Sequence, residues 1–180
     1  MRAAATLILL LACTGAQAHP SGVSGFLHPF TGLDHTLALL AVGAWASQLG
    51  PRARWAVPPA FLGAMAAGGA LGLAGVTLPA LEPMLLATVL ILGLMAALRV
   101  RQLAGGIAVA AACAVLHGMA HGSELPAGVE PAGYFAGFLI AGGLILAAGM
   151  LLGTRLPYGL PRRPYPASRS RPTARRLPRP

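Results

Sequence analysis

Five apolar segments, each close to the length that a helix needs to cross a lipid bilayer, make up most of the sequence after residue 30. They run over residues 31–49, 56–77, 82–98, 103–121 and 132–152. A helix of about 20 residues spans the roughly 30 Å hydrocarbon core, and lipid offers the backbone no hydrogen-bond partner. The segments therefore predict an all-α fold, a polytopic membrane helical bundle with about five transmembrane helices.

The composition excludes several classes of protein. Of the 180 residues 56% are hydrophobic and only 9% are charged, whereas a water-soluble domain carries roughly a quarter charged residues. Lysine is absent, so the chain has no P-loop nucleotide site. As a separate prediction, we expect no enzymatic activity. Eight of the 13 arginines lie between Arg155 and Arg179, so the net charge of +9 belongs to a tail and does not indicate nucleic-acid binding.

The first 18 residues have the organisation of a secretory signal peptide. A basic Met1-Arg2 precedes an apolar stretch, and Ala16-Gln17-Ala18 fits the A-x-A cleavage pattern. The alternative is an uncleaved membrane helix, which would be short at about 13 apolar residues. The expected organisation is a signal peptide over 1–18, an exported segment over 19–30, the transmembrane bundle over 31–152 and an Arg/Pro-rich, disordered tail over 153–180.

The arginines orient the predicted spans. If residue 19 is outside, the loops alternate, and Arg52, Arg54, Arg99, Arg101 and the tail all fall on the cytoplasmic side. This distribution follows the positive-inside rule. It predicts a mature N-terminus outside the cytoplasm and a cytoplasmic C-terminal tail; in a bacterium this would be an inner-membrane protein with a periplasmic mature N-terminus.

Glycines at four-residue spacing indicate how the helices pack. The pattern allows helix backbones to approach closely, so we expect tight packing. It is compatible with a homo-oligomer but identifies no dimer face. It occurs in Gly68-x-x-x-Gly72, Gly118-x-x-x-Gly122 and Gly133-x-x-x-Gly137.

Most histidines and half of the acidic residues lie in two motifs at the outer ends of predicted helices. The predicted topology puts both motifs on the same membrane face, so we expect them to converge. In the second motif the residues at positions 117, 121 and 124 share one helical stripe if the helix runs that far. The motifs are His28-Pro29-Phe30-Thr31-Gly32-Leu33-Asp34-His35 and His117-Gly118-Met119-Ala120-His121-Gly122-Ser123-Glu124.

This combination of side chains predicts a metal site. Ionisable groups at membrane depth are costly and usually serve a pathway or a ligand. Imidazoles with carboxylates suit Ni²⁺, Co²⁺, Zn²⁺ or Cu²⁺ better than Mg²⁺ or Ca²⁺. His19 is a further candidate, because its imidazole and the new α-amine could chelate a cation together. The main candidate ligands are His28, Asp34, His35, His117, His121 and Glu124.

Other interpretations of the same residues remain open from the sequence. Thr31-x-x-Asp34 before an apolar run could be a helix capping box, and His28 could be an interfacial residue before a proline. His117 could hydrogen-bond across a helix pair. At the level of the whole protein, histidines from two helices could clamp haem in a b-type cytochrome, or the chain could be a metal-binding accessory that buffers an ion without moving it.

The two histidine motifs resemble those of the HupE/UreJ family of bacterial membrane proteins, over residues 19–152. The resemblance implies a role in nickel or cobalt uptake for hydrogenase and urease maturation, with the six candidate ligands as the metal-handling residues. It implies a secondary permease or channel-like importer of Ni²⁺ or Co²⁺ with no permanently bound cofactor. Its partners would be the lipid bilayer and a divalent transition-metal ion. Family members usually finish with a sixth hydrophobic helix, where this sequence has the Arg/Pro-rich tail.

Histidine ligation predicts that metal uptake weakens in acid. Neutral imidazole binds a cation and imidazolium does not, so uptake should fall as the pH drops through the reference histidine pKa of about 6.5. Initial rates of labelled nickel uptake by cells at about pH 7.5 and 5.5 bracket that value. Equal rates at the two pH values would argue against histidine ligands.

Overall fold

The computed structural model describes residues 25–155, which fold into one short helix and five long ones. Within this range the structure contains no β-strand, so the all-α prediction is confirmed. In chain order the helices are α1 (His28–Thr31), α2 (Leu33–Leu49), α3 (Pro51–Leu73), α4 (Leu81–Ala97), α5 (Leu103–Ser123) and α6 (Pro131–Arg155).

Three long apolar helices and a shorter one are consistent with a helical membrane bundle. Helices α3, α5 and α6 are long and apolar enough to cross a membrane. Helix α4 is apolar but shorter, with 17 residues, and α2 also has 17. The predicted signal peptide, His19 and the tail beyond Arg155 lie outside the described residues, so they stay predictions.

The start of α3 differs from the sequence-based prediction. The stretch from Gly50 to Arg54 was expected to be a loop before a span starting at residue 56, but α3 begins at Pro51 and ends at Leu73. Proline suits the first position of a helix because its missing N–H would be unsatisfied there anyway. Gly50 adopts a φ of 101°, a conformation that favours glycine, and this single residue connects α2 to α3.

Glycines bring α3 and α5 into backbone contact. A Cβ atom on Gly68 would strike the carbonyl of Val115, and one on Gly118 would strike the carbonyl of Met65. Gly72 and Gly122 are in equally close contact one turn further along. Close packing is thus confirmed for two of the three predicted glycine motifs. In the third motif, Gly137 lies against the backbone of Phe26, whereas Gly133 faces the side chain of Glu130.

A second pair of helices, α2 and α6, packs in the same way. Gly43 of α2 lies against the backbone of Leu146, and Gly149 of α6 lies against the backbone of Leu40. Gly153 continues the contact toward Ser47. Gly149 and Gly153 have the same four-residue spacing as the predicted motifs, but the sequence analysis did not single them out.

Core-facing stripes of four helices run from apolar residues at one end of the bundle to polar or aromatic residues at the other. The stripes follow spacings of three and four, which keep their members on one face of a helix. Their ends therefore meet at one end of the core. The stripe ends are His35 on α2, Thr88 on α4, His117 and His121 on α5, and Tyr134 and Phe138 on α6, all of them buried.

The arginines lie at the opposite end. The indole N–H of Trp45, late in α2, donates a 2.8 Å hydrogen bond to the carbonyl of Val100, which lies between Arg99 and Arg101. Gly153, near the end of α6, lies beside Ser47 of α2. The described part of the bundle thus has a basic end and a histidine end, as the two sequence patterns require.

A methyl group at the α3–α5 contact should destabilise the bundle. The Gly118→Ala variant places a Cβ against the Met65 carbonyl, and because backbone cannot swing aside we expect a loss of about 1–3 kcal/mol. The measurement is the thermal midpoint of the purified protein in detergent. Gly63→Ala is the matched control, since nothing lies within 4 Å of that position, and its midpoint should equal or exceed the wild-type value. Equal midpoints for both variants would contradict the packing described.

Candidate metal centre

Three histidine rings from two helices meet at the polar end of the core. Nε2 of His35 lies 2.6 Å from Nε2 of His121 and 3.3 Å from Nδ1 of His117. All three side chains are 1–2% exposed. Two segments more than 80 residues apart in sequence therefore converge, as the histidine motifs predicted.

The outward-facing nitrogens of two of these rings have polar partners. Nδ1 of His35 lies 3.2 Å from Oδ1 of the half-buried Asp34, and Nε2 of His117 lies 2.6 Å from Oγ1 of Thr88. A carboxylate only accepts hydrogen bonds, so it favours a proton on the Nδ1 that faces it. Metal-binding histidines usually have such a partner on the second nitrogen, because it fixes the tautomer and the ring orientation.

His28 completes the cluster from the short helix α1. Its ring centroid lies 4.7 Å from that of His121 in an edge-on arrangement, and the side chain is only 7% exposed. The interpretation of His28 as an interfacial residue is therefore wrong. Pro29, also buried, begins the turn that brings this ring inward, and the carbonyl of Pro29 accepts a 2.7 Å hydrogen bond from the hydroxyl of Thr36.

Two aromatic residues of α6 enclose the rings. The ring centroid of Phe138 lies 4.4 Å from that of His121, and the ring centroid of Tyr134 lies 5.8 Å from that of His28.

Helix α6 begins just before these aromatic residues. The Glu130 carboxylate accepts hydrogen bonds from the amides of Ala132 and Gly133 in its first turn, at 2.8 and 2.5 Å. The same two amides hold the pKa of the Glu130 carboxyl below its ordinary value.

The predicted capping box at the start of α2 does not form. Gly32 occupies the N-cap position and makes no side-chain cap, while the Thr31 hydroxyl donates to the carbonyl of His28 at 2.8 Å. Asp34 lies in the first turn of α2, next to His35. The capping interpretation is wrong because the chain breaks at Gly32 rather than running as one helix from Thr31.

The rings would have to move slightly to hold an ion. Among the described residues, no group of three or more histidine, cysteine, aspartate or glutamate side chains has a geometry that could hold a metal. Two nitrogens bound to one ion at 2.0–2.1 Å lie roughly 2.9–3.4 Å apart. The 3.3 Å separation between His117 and His35 meets that condition, and the 2.6 Å separation between His35 and His121 does not. Widening that second contact by about 0.3–0.8 Å, from the same bond lengths, would make room.

The contact between His35 and His121 also holds a hydrogen. Two imidazole nitrogens 2.6 Å apart attract only if one of them carries a proton that points at the other. A cation that binds between them has to displace this proton.

The contact between the two rings also bears on the cytochrome interpretation. Haem requires its two axial nitrogens on opposite sides of a flat macrocycle, and rings in direct contact leave no space for one. The arrangement therefore disfavours the cytochrome interpretation.

Of the two remaining predicted ligands, the structure describes one. Glu124 is exposed at the residue that caps α5, just beyond the last turn of the helix, and so lies outside the buried cluster. His19 lies outside the described residues.

The sequence prediction missed three residues of the site, Thr88, Tyr134 and Phe138. A signal existed for each, because Thr88 is a hydroxyl in the apolar interior of α4 and the two aromatic residues are four positions apart on α6.

Fold and site together define a helical membrane protein with a buried histidine cluster near one end of its core. A family model described as HupE / UreJ protein matches residues 3–165. Protein HupE of Rhizobium leguminosarum bv. viciae is 45% identical over 138 residues, which cover 76% of this chain and 72% of that protein. No solved structure gives a significant match. The chain belongs to the HupE/UreJ family, whose members are accessory or transport proteins rather than enzymes.

Proposed function

We propose that the chain is an inner-membrane importer of Ni²⁺ or Co²⁺, either a secondary permease or a channel-like protein, that supplies hydrogenase- or urease-type metalloenzymes. Its cation site lies at the histidine end of the bundle, which faces the periplasm. The protein holds no permanent cofactor, and the ion is its cargo.

The convergence of three inward-facing ring nitrogens is the observation that carries this proposal. These are Nε2 of His35, Nδ1 of His117 and Nε2 of His121. The His35 nitrogen lies 3.3 Å from the His117 nitrogen and 2.6 Å from the His121 nitrogen. Asp34 and Thr88 face the outer nitrogens of His35 and His117, so the inner nitrogens are the ones available to a cation. A purely structural role would not require histidines at all three positions, since apolar side chains of similar volume fill a core at no cost in buried polar groups.

The other candidate ligands form a route to this centre. Glu124, exposed at the end of α5, offers a carboxylate oxygen to a hydrated cation before it reaches His121. His28, edge-on to His121, is the next imidazole that the ion would meet. His19 extends the route outward if the signal peptide is removed.

The distribution of charge supports the direction of transport. Arg99 and Arg101 lie at the opposite end of the bundle from the histidines, with Arg52 and Arg54 in the first turns of α3 and Arg155 at the end of α6. Positive residues are retained on the cytoplasmic side of bacterial membranes. With the arginines inside, the histidine end captures the cation from the periplasm.

Accumulation of metal by cells tests the proposal. In cells without their own importers, the native chain should accumulate labelled nickel or cobalt over time, whereas the His35→Ala/His121→Ala variant and the empty vector should not. The variant should insert normally, because both substitutions leave the apolar segments that direct insertion unchanged. Immunoblots of the membrane fraction check insertion.

Glu82→Gln is the matched control for the accumulation assay, because it removes an exposed acidic charge from the first turn of α4 and leaves the histidine cluster intact. It should transport as the native chain does. Counts that saturate in proportion to the protein would mean that the chain buffers metal without moving it. Equal counts for the native chain and the double variant would contradict the proposed site.

A further inference from the structure

Thr88 is a buried hydroxyl at the interface of α4 with α5. Its side chain is 3% exposed and continues the core stripe of Leu92 and Met95 toward the histidine end. Its Oγ1 atom lies 2.6 Å from Nε2 of His117 and also 2.6 Å from the carbonyl oxygen of Leu85, one turn back on the same helix. Oγ1 therefore makes two short polar contacts in opposite directions.

The single hydrogen of the hydroxyl decides which group donates in each contact. The Leu85 carbonyl has no hydrogen to give, so its 2.6 Å contact is attractive only if the Thr88 hydroxyl donates to it. The hydroxyl then has only lone pairs left for His117. The second contact is attractive only if Nε2 of His117 carries a hydrogen and donates it to Thr88.

This assignment fixes the state of the other ring nitrogen. A neutral imidazole has one protonated and one bare nitrogen, so a hydrogen on Nε2 leaves Nδ1 of His117 with a free lone pair. In this state the 3.3 Å contact with His35 is attractive only if Nε2 of His35 carries a hydrogen and donates it to Nδ1 of His117. The opposite tautomer would place a hydrogen on Nδ1 itself, and a cation would have to displace that hydrogen before His117 could bind it.

We propose that Thr88 is a positioning residue, which holds His117 in the tautomer that presents Nδ1 to the centre of the cluster. Thr88 itself touches no ion and acts only through His117. The inference rests on the proposed function, because presenting a lone pair there has a use only if a cation binds. The tautomer itself can be measured without metal, so the two ideas can fail separately.

Binding of Co²⁺ to the purified full-length protein gives the first test. Thr88→Val keeps the shape of the side chain and removes the hydroxyl, so Co²⁺ affinity should fall about 10- to 100-fold, the usual effect of losing the partner of a ligating histidine. Thr88→Ser keeps the hydroxyl and should bind nearly as the native protein does. Thr154→Val is the matched control, since that hydroxyl makes the same bond to a carbonyl three residues back, at 2.7 Å, but lies exposed near the far end of α6.

Nitrogen NMR of the metal-free protein gives the second test. In protein labelled with ¹⁵N-histidine, the signals of His117 are identified by their loss in His117→Gln. We expect Nε2 to be protonated and Nδ1 bare in the native chain and in Thr88→Ser. In Thr88→Val the ring should populate both tautomers.

Each outcome of the two tests has a defined meaning. The inference is overturned if His117 of the native chain carries its hydrogen on Nδ1, or if Thr88→Val leaves the tautomer unchanged. Equal weakening of Co²⁺ binding in Thr88→Ser and Thr88→Val would also overturn it, because the hydroxyl would then not be the cause. If the native chain binds no Co²⁺ but the tautomer shifts as expected, the proposed function fails while the role of Thr88 in setting the tautomer stands.

Discussion

The backbone contact between α3 and α5 determines where the histidines point. Gly118 and Gly122 press against α3, and nothing larger fits there. Adjacent residues on a helix are about 100° apart, so His117 and His121, each one position earlier, face sideways into the core rather than toward α3. The glycines and the histidines of this motif therefore act together. The glycines set the rotation of α5, and the rotation carries the imidazoles to α2, α4 and α6.

The absence of water in a membrane core explains why the polar groups cluster. A lone imidazole among apolar side chains would lose its hydrogen bonds with nothing in return, whereas rings that contact each other, a carboxylate and a hydroxyl satisfy one another. This requirement links the stability of the bundle to the arrangement of the site. It also explains why both outward nitrogens of His35 and His117 face a polar partner, which in turn leaves the inward nitrogens to a cation.

The sequence predicted the helices and most of the site but not how the site is enclosed. Hydropathy located the long helices, and histidines at four-residue spacing predicted the face that α5 turns inward. The start of α3 at Pro51 was missed because arginines near a helix end look like a loop, although they can lie within the first turns of a membrane helix. Thr88, Tyr134 and Phe138 stand out within their own helices, but the rotation of those helices is decided by packing, so the sequence does not show that they lie beside the histidines. Glu124 shares the histidine spacing but falls beyond the end of the helix, where the stripe no longer continues.

X-ray absorption at the metal edge of the Co²⁺-loaded, purified full-length protein is the most direct measurement of whether the inward nitrogens bind the cargo. Imidazole rings give a distinct outer-shell scattering pattern, and nitrogen ligands should lie near 2.0–2.1 Å by analogy with other histidine sites. We expect at least two imidazoles in the native chain and one fewer in His121→Ala. A shell of oxygen atoms with no imidazole scattering, unchanged in the variant, would contradict a metal centre built on His35, His117 and His121.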